Sequence, residues 1–82
     1  LINRVAEDAR VGALALADQV ASRSAVTIRL GKQGFRQQCA AGTLQEAYDR
    51  AGAVMVENLM AADAAEGIGA FRGKRKPVWQ DR

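Results

Sequence analysis

The sequence predicts an all-α fold, a small bundle of about four helices. Three observations predict it. Apolar residues recur at three- and four-residue spacing through most of the chain. Capping residues stand ahead of several of those segments. No second β-like run exists downstream of the short apolar start, so a sheet would lack its second strand.

Residues 1–5, Leu-Ile-Asn-Arg-Val, read as the end of a strand without a partner. The first helix is expected over 9–21, with Glu7 and Asp8 placing negative charge where the helix dipole favours it. Leu14, Ala17 and Ala21 form its stripe, flanked by Leu16 and Val20. The second spans 24–40 from Ser24 as N-cap, with Val26 and Leu30 four apart and Ile28, Gly31, Phe35 and Cys39 on an adjoining face. Gly31 and Gly34 each weaken a helix interior by roughly 1 kcal/mol relative to alanine. They either admit a neighbouring backbone or bend the helix. Gly42 is expected as the C-terminal glycine.

The third helix, over 43–61, opens on Thr43-Leu44-Gln45-Glu46, the spacing of a capping box. Ala47, Tyr48, Ala51, Val54, Met55, Val56 and Leu59 give it a broad apolar stripe. The fourth spans 63–73. Asp63 and Glu66 have cap-like spacing, and Gly73 and Pro77 end it.

The 82 residues suffice for one small domain, and much of the apolar content is alanine, which brings little buried area. The aromatics are Phe35, Tyr48, Phe71 and Trp79. The single cysteine, Cys39, allows no internal disulfide and reads as a small core residue. With no histidine, the commonest general base and metal ligand are missing, and scattered carboxylates make no metal site. Ser22, Ser24, Thr27 and Thr43 have no base to activate them. Gly67, Gly69 and Gly73 lie within a helix rather than before one, which excludes a phosphate loop. No apolar run approaches the ~20 residues of a membrane span.

The net charge is +3, and Arg72, Lys74, Arg75, Lys76 and Arg82 crowd the end with only Asp81 against them. Two readings stand on composition: a solvated helix end, or a surface for an anion such as phosphate or nucleic acid.

The stretch from Asp63 to Trp79, with Glu66-Gly67-Ile68-Gly69-Ala70-Phe71-Arg72-Gly73-Lys74-Arg75-Lys76-Pro77-Val78-Trp79 at its end, resembles the C-terminal signature of the enoyl-CoA hydratase/isomerase (crotonase) superfamily. That signature reads D-x-x-E-G-x-x-A-F-x-x-K-R-x-P-x-aromatic, and every fixed position is matched. Upstream, residues 1–5 look like the last core strand of such a protein. Ala17-Asp18-Gln19-Val20-Ala21 looks like the helix after it, and the region of Lys32 like the next. The segments Ala53-Val54-Met55-Val56-Glu57-Asn58-Leu59 and Lys74 to Trp79 are similar to one hydratase subgroup.

The resemblance implies that this chain is the C-terminal helical region of a longer enzyme that hydrates 2-enoyl-CoA through an oxyanion-stabilised enolate. The family's oxyanion hole and acid/base glutamates would lie upstream of Leu1, so no catalytic residue is expected here and the chain alone should be inactive. Phe71 and Lys74 match the residues expected at the adenine and phosphate end of coenzyme A, often from a neighbouring subunit. Met55 matches a position near the acyl tail, and Arg75 either supports the phosphate or is solvated. The rival explanation for Phe71 is burial within the fold. Coenzyme A enters as part of the substrate, with no covalent cofactor and no metal. The implied partners are acyl-CoA and a homotrimer or dimer of trimers, with no membrane. The implied setting is cytoplasmic, or mitochondrial for a eukaryotic source. The alternative is a freestanding helical module that binds nucleic acid or another polyanion through its basic tail.

Overall fold

A computed structural model describes residues 2–82. It is all-α among the described residues, with α1 over Ala9–Ala21, α2 over Ala25–Cys39, α3 over Leu44–Leu59 and α4 over Ala62–Arg72. The strand expected at 1–5 falls partly on Leu1, outside the described residues. Ile2 and Val5 stand exposed and in no ladder, as a strand without a neighbour must.

Local chemistry sets three of the four helix starts. Asp8 caps α1, its Oδ1 accepting from the amides of Arg10 at 2.9 Å and Val11 at 3.0 Å. Ser24 caps α2 through the Thr27 amide. Thr43 caps α3 through the Glu46 amide at 3.2 Å. Glu46 reaches back, but to the amide of Gly42 at 2.8 Å, one residue before the cap. Its other oxygen pairs with Arg50, whose guanidinium also donates to the Gln37 carbonyl of α2 at 2.8 Å.

α2 and α3 form the principal packed pair, and α4 lies against both. Their seam is narrower than the apolar stripe of α3. Leu30 and Gly34 of α2 are buried, and Ala47, Ala51, Val54 and Asn58 of α3, at helical spacing, are half-buried. A β-carbon on Gly34 would lie 2.9 Å from Val54 Cγ1, so this glycine serves close approach, whereas one on Gly31 would meet nothing. Thr27 Oγ1 donates to Asn58 Oδ1 at 3.0 Å across the same seam. Tyr48, Met55, Val56 and Leu59 remain exposed on the outer side of α3.

α1 buries no residue; Val11, Leu14, Leu16 and Val20 all face solvent. Cys39, read as a core residue, is also exposed, because nothing among the described residues covers that end of α2. Among the described residues the buried apolar side chains are Leu30 and Ala70. The radius of gyration is 15.7 Å, where a compact chain of this length would have about 12 Å. The accessible surface is 6974 Å², against roughly 4800 Å² for a compact monomer of this mass. Val11, Leu14, Phe35, Leu44, Met60 and Phe71 are among the large apolar side chains left exposed.

Candidate functional site

The end of α4 and the tail that follows form one polar assembly. Asp63 and Glu66, three residues apart on α4, each point a carboxylate at the tail as it runs back along the helix. They are not the cap that their spacing suggests. The N-cap of α4 is Ala61, which makes no side-chain cap, so α4 starts before Asp63.

Asp63 is 2 % exposed, yet fully partnered. Its Oδ1 accepts from the Gln80 amide at 2.8 Å and its Oδ2 from the Asp81 amide at 3.0 Å. Its own amide, one of the donors a helix start leaves unpaired, donates to the Arg82 carbonyl at 2.9 Å. The Ser24 hydroxyl holds its carboxyl below the usual range, helped by the two tail amides and opposed by desolvation.

Glu66 accepts two guanidinium bonds from Arg75, at 2.6 and 2.9 Å, and a third from the Val78 amide at 2.7 Å. The Arg75 bonds, then the Val78 amide, bring its pKa down to about 2. Two further bonds tie the tail to the α1–α2 link: the Trp79 indole N–H donates to the Ser22 carbonyl at 3.0 Å, and Asp81 Oδ1 accepts from the Ala25 amide at 2.8 Å. Gly67 makes room for the indole, since a β-carbon there would lie 3.4 Å from the ring.

Between helix and tail is the turn that holds the expected binding residues. Gly73 is the C-cap at an ordinary φ of −81°, and the left-handed residue is Lys74, with φ 49°. The Lys74 amide donates to the Phe71 carbonyl at 3.2 Å and the Arg75 amide to the Ala70 carbonyl at 3.0 Å. This is the Schellman arrangement, with lysine where glycine is preferred. Gly42, expected as a C-terminal glycine, likewise has no positive φ; Ala40 caps α2.

The structure thus brings Phe71 and Lys74 to the same turn and leaves both exposed, Phe71 at 85 %, which rules out burial within this chain as the reason for the phenylalanine. Arg75 is neither free nor solvated alone; it is the partner of Glu66. Met55 is exposed on α3. Open troughs lie elsewhere, between α1 and α2, where Val20, Ile28 and Phe35 are flanked by Arg29, Lys32 and Arg36. No carboxylate, cysteine or histidine cluster that could hold a metal exists among the described residues. No helix of the described residues is long and apolar enough to cross a membrane.

The latch formed by Asp63, Glu66, Arg75, Trp79 and Asp81 was not legible beforehand. Its partners stand between 9 and 57 residues apart, with no local spacing to flag them.

No family model matches the chain. It is 46 % identical over 68 residues to enoyl-CoA hydratase domain-containing protein 3, mitochondrial, of Danio rerio, covering 83 % of this chain and 23 % of that protein. Against the Homo sapiens protein of the same description it is 38 % identical over 81 residues, 96 % of this chain and 26 % of that one. The chain therefore spans about a quarter of the length of these relatives. The crystal structure of human enoyl-CoA hydratase domain-containing protein 3 matches with a TM-score of 0.80 at 40 % identity, over 85 % of this chain and 27 % of that one. A probable enoyl-CoA hydratase/isomerase from Mycobacterium abscessus matches with a TM-score of 0.79 at 29 % identity, over 99 % of this chain and 32 % of that one. In sequence and in fold alike, the chain is homologous to the C-terminal region of enoyl-CoA hydratase/isomerase (crotonase) superfamily proteins, enoyl-CoA hydratase domain-containing protein 3 among them.

Proposed function

We propose that this chain is the part of an enoyl-CoA hydratase/isomerase family enzyme that covers the coenzyme A end of an acyl-CoA substrate and joins its subunits into a trimer. One observation carries the first half. Among the fixed positions of the signature, Asp63, Glu66, Gly67, Arg75 and Trp79 have partners within the chain, Ala70 is buried, and Pro77 stiffens the turn into the tail. Phe71 and Lys74 stand exposed with no side-chain bond, and Lys74 does so in a backbone conformation that costs a non-glycine residue about 1 kcal/mol. A strained, outward-facing lysine is accounted for by a ligand rather than by the fold. Coenzyme A fits the pair: the ammonium meets its phosphates and the ring packs on its adenine.

The surface excess and the bare apolar face of α1 support the second half, since neither is covered within the chain. The chemistry itself, a thioester carbonyl polarised by paired backbone N–H donors and protons moved by glutamates, would belong to residues outside this chain. The matched relatives are described as mitochondrial, which fits a mitochondrial setting for a eukaryotic source. Assay of the full-length protein that contains this segment on crotonyl-CoA tests the hydratase reading. Turnover supports it, and inactivity across acyl-CoA thioesters contradicts it.

The alternative, polyanion binding through the tail, draws on fewer free cations than the sequence lists. Arg75 is engaged by Glu66, while Arg82 bonds only the neutral Gln80 Oε1, at 2.7 and 3.0 Å, and keeps its charge. A titration with DNA or RNA at low salt decides it, because such binding would be strong there and fall steeply with added salt.

A further inference from the structure

We propose that Arg75, gripped by Glu66, is a positioning residue that holds Lys74 in place for the coenzyme's phosphate. The inference rests on the reading that Lys74 meets that phosphate. It assigns Arg75 neither of the roles its charge suggests, direct phosphate contact or idle solvation.

The geometry places Lys74 at the apex of a short loop closed by one carboxylate. Glu66 takes both prongs of Arg75, the residue after Lys74, and also the amide of Val78. The loop is therefore pinned just past its apex and again at its exit. Lys74 has φ 49°, a well that a lysine populates only when its surroundings impose it. The backbone bonds from Lys74 to Phe71 and from Arg75 to Ala70 define the turn, and the bidentate pair fixes Arg75 against α4 so that both persist. Released from Glu66, residues 74–77 gain freedom and the ammonium is spread over a larger volume. Ordering it again on the ligand then costs conformational entropy that the latched turn has already lost.

Arg75→Lys tests this most sharply, because it keeps the charge and cannot make the two-pronged grip. Glu66→Gln, which keeps the shape and removes the ion pair, is the companion variant. Both are made in the full-length protein that contains this segment, and affinity is measured for coenzyme A and for coenzyme A lacking its 3′-phosphate. Wild type should prefer the phosphorylated form by roughly tenfold or more, as a charge-assisted contact provides. Lys74→Ala should abolish that preference. Arg75→Lys and Glu66→Gln should each lose most of it while binding the dephosphorylated form as wild type does. In turnover KM should rise and kcat hold. Lys76→Ala controls for simple loss of a cation and should leave the preference intact. If Arg75→Lys keeps the full preference, Arg75 acts only as charge and the inference is overturned. If Lys74→Ala keeps it, the reading beneath the inference fails, and the inference with it. Should either variant prove unstable, the stoichiometry of the titration gives the binding-competent fraction on which the affinities for the two forms are compared.

Discussion

α1 and the α4–tail assembly are held by opposite means. α1 is an alanine-rich helix with a good cap and no buried residue; its larger apolar side chains have nothing among the described residues to rest on. The α4–tail assembly is less hydrophobic still. It is closed by carboxylates, with Asp63 and Glu66 taking amides from Val78, Gln80 and Asp81 and the guanidinium of Arg75. Apolar area stabilises only when something covers it, whereas a polar latch is complete within the segment that forms it. A segment with little covered apolar surface is therefore best ordered where its polar bonds are internal.

Substitutions in the two regions should differ in cost. The largest effect is expected in the α2–α3 seam. Leu30→Ala removes one of the few buried side chains and should cost about 2–5 kcal/mol, while Leu14→Ala on the bare face of α1 should stay within ~0.5 kcal/mol. Chemical denaturation of this chain gives both numbers, and equal losses would mean that α1 is packed after all.

The glycine pair comes next and should split in sign. Gly34→Ala forces a β-carbon onto Val54 and should destabilise by on the order of 1 kcal/mol even after the gain in helix propensity, whereas Gly31→Ala, facing open space, should stabilise by up to ~1 kcal/mol. Thermal melts of the two variants check the sign directly.

The latch itself should open with acid. The pKa of Glu66 is lowered from 4.5 to about 2 by Arg75 and the Val78 amide. A depressed carboxylate contributes fully above its unfolded pKa and loses that contribution as pH falls through the folded one. Trp79 should therefore hold its buried-edge fluorescence down to about pH 4 and lose it progressively toward pH 2, with Asp63, lowered in the same direction, following. A signal lost already near pH 5 would contradict the pairing.

The smallest effect concerns local opening. Amides of Val78, Gln80 and Asp81, bonded to the two carboxylates, should exchange more slowly than those of α1, although the latter lie in a regular helix. The reverse order would undo the comparison.

The sequence showed the fold class and three helix starts because those depend on neighbours. Asp8, Ser24 and Thr43 each bond amides two or three residues ahead, which spacing alone reveals. Asp63 and Glu66 have the same spacing, and the same argument misread them. Whether a carboxylate caps its own helix or receives a distant strand of backbone depends on where the tail returns, and no local pattern encodes that. The left-handed residue was misplaced for a related reason. Glycine is the usual occupant, so Gly42 drew the expectation, while the left-handed position at a helix end belongs to Lys74. Phe71 and Lys74 are singled out only through resemblance, because an exposed ring and an exposed amine leave no packing signature.

Lys74→Gly separates the proposed ligand role of Lys74 from its place in the fold. Thermal melts of the full-length protein are compared with and without saturating coenzyme A. Glycine suits the left-handed turn, so the ligand-free variant should melt at or above wild type while its coenzyme-induced shift shrinks. A ligand-free melt well below wild type, with an undiminished shift on adding coenzyme A, would contradict the account.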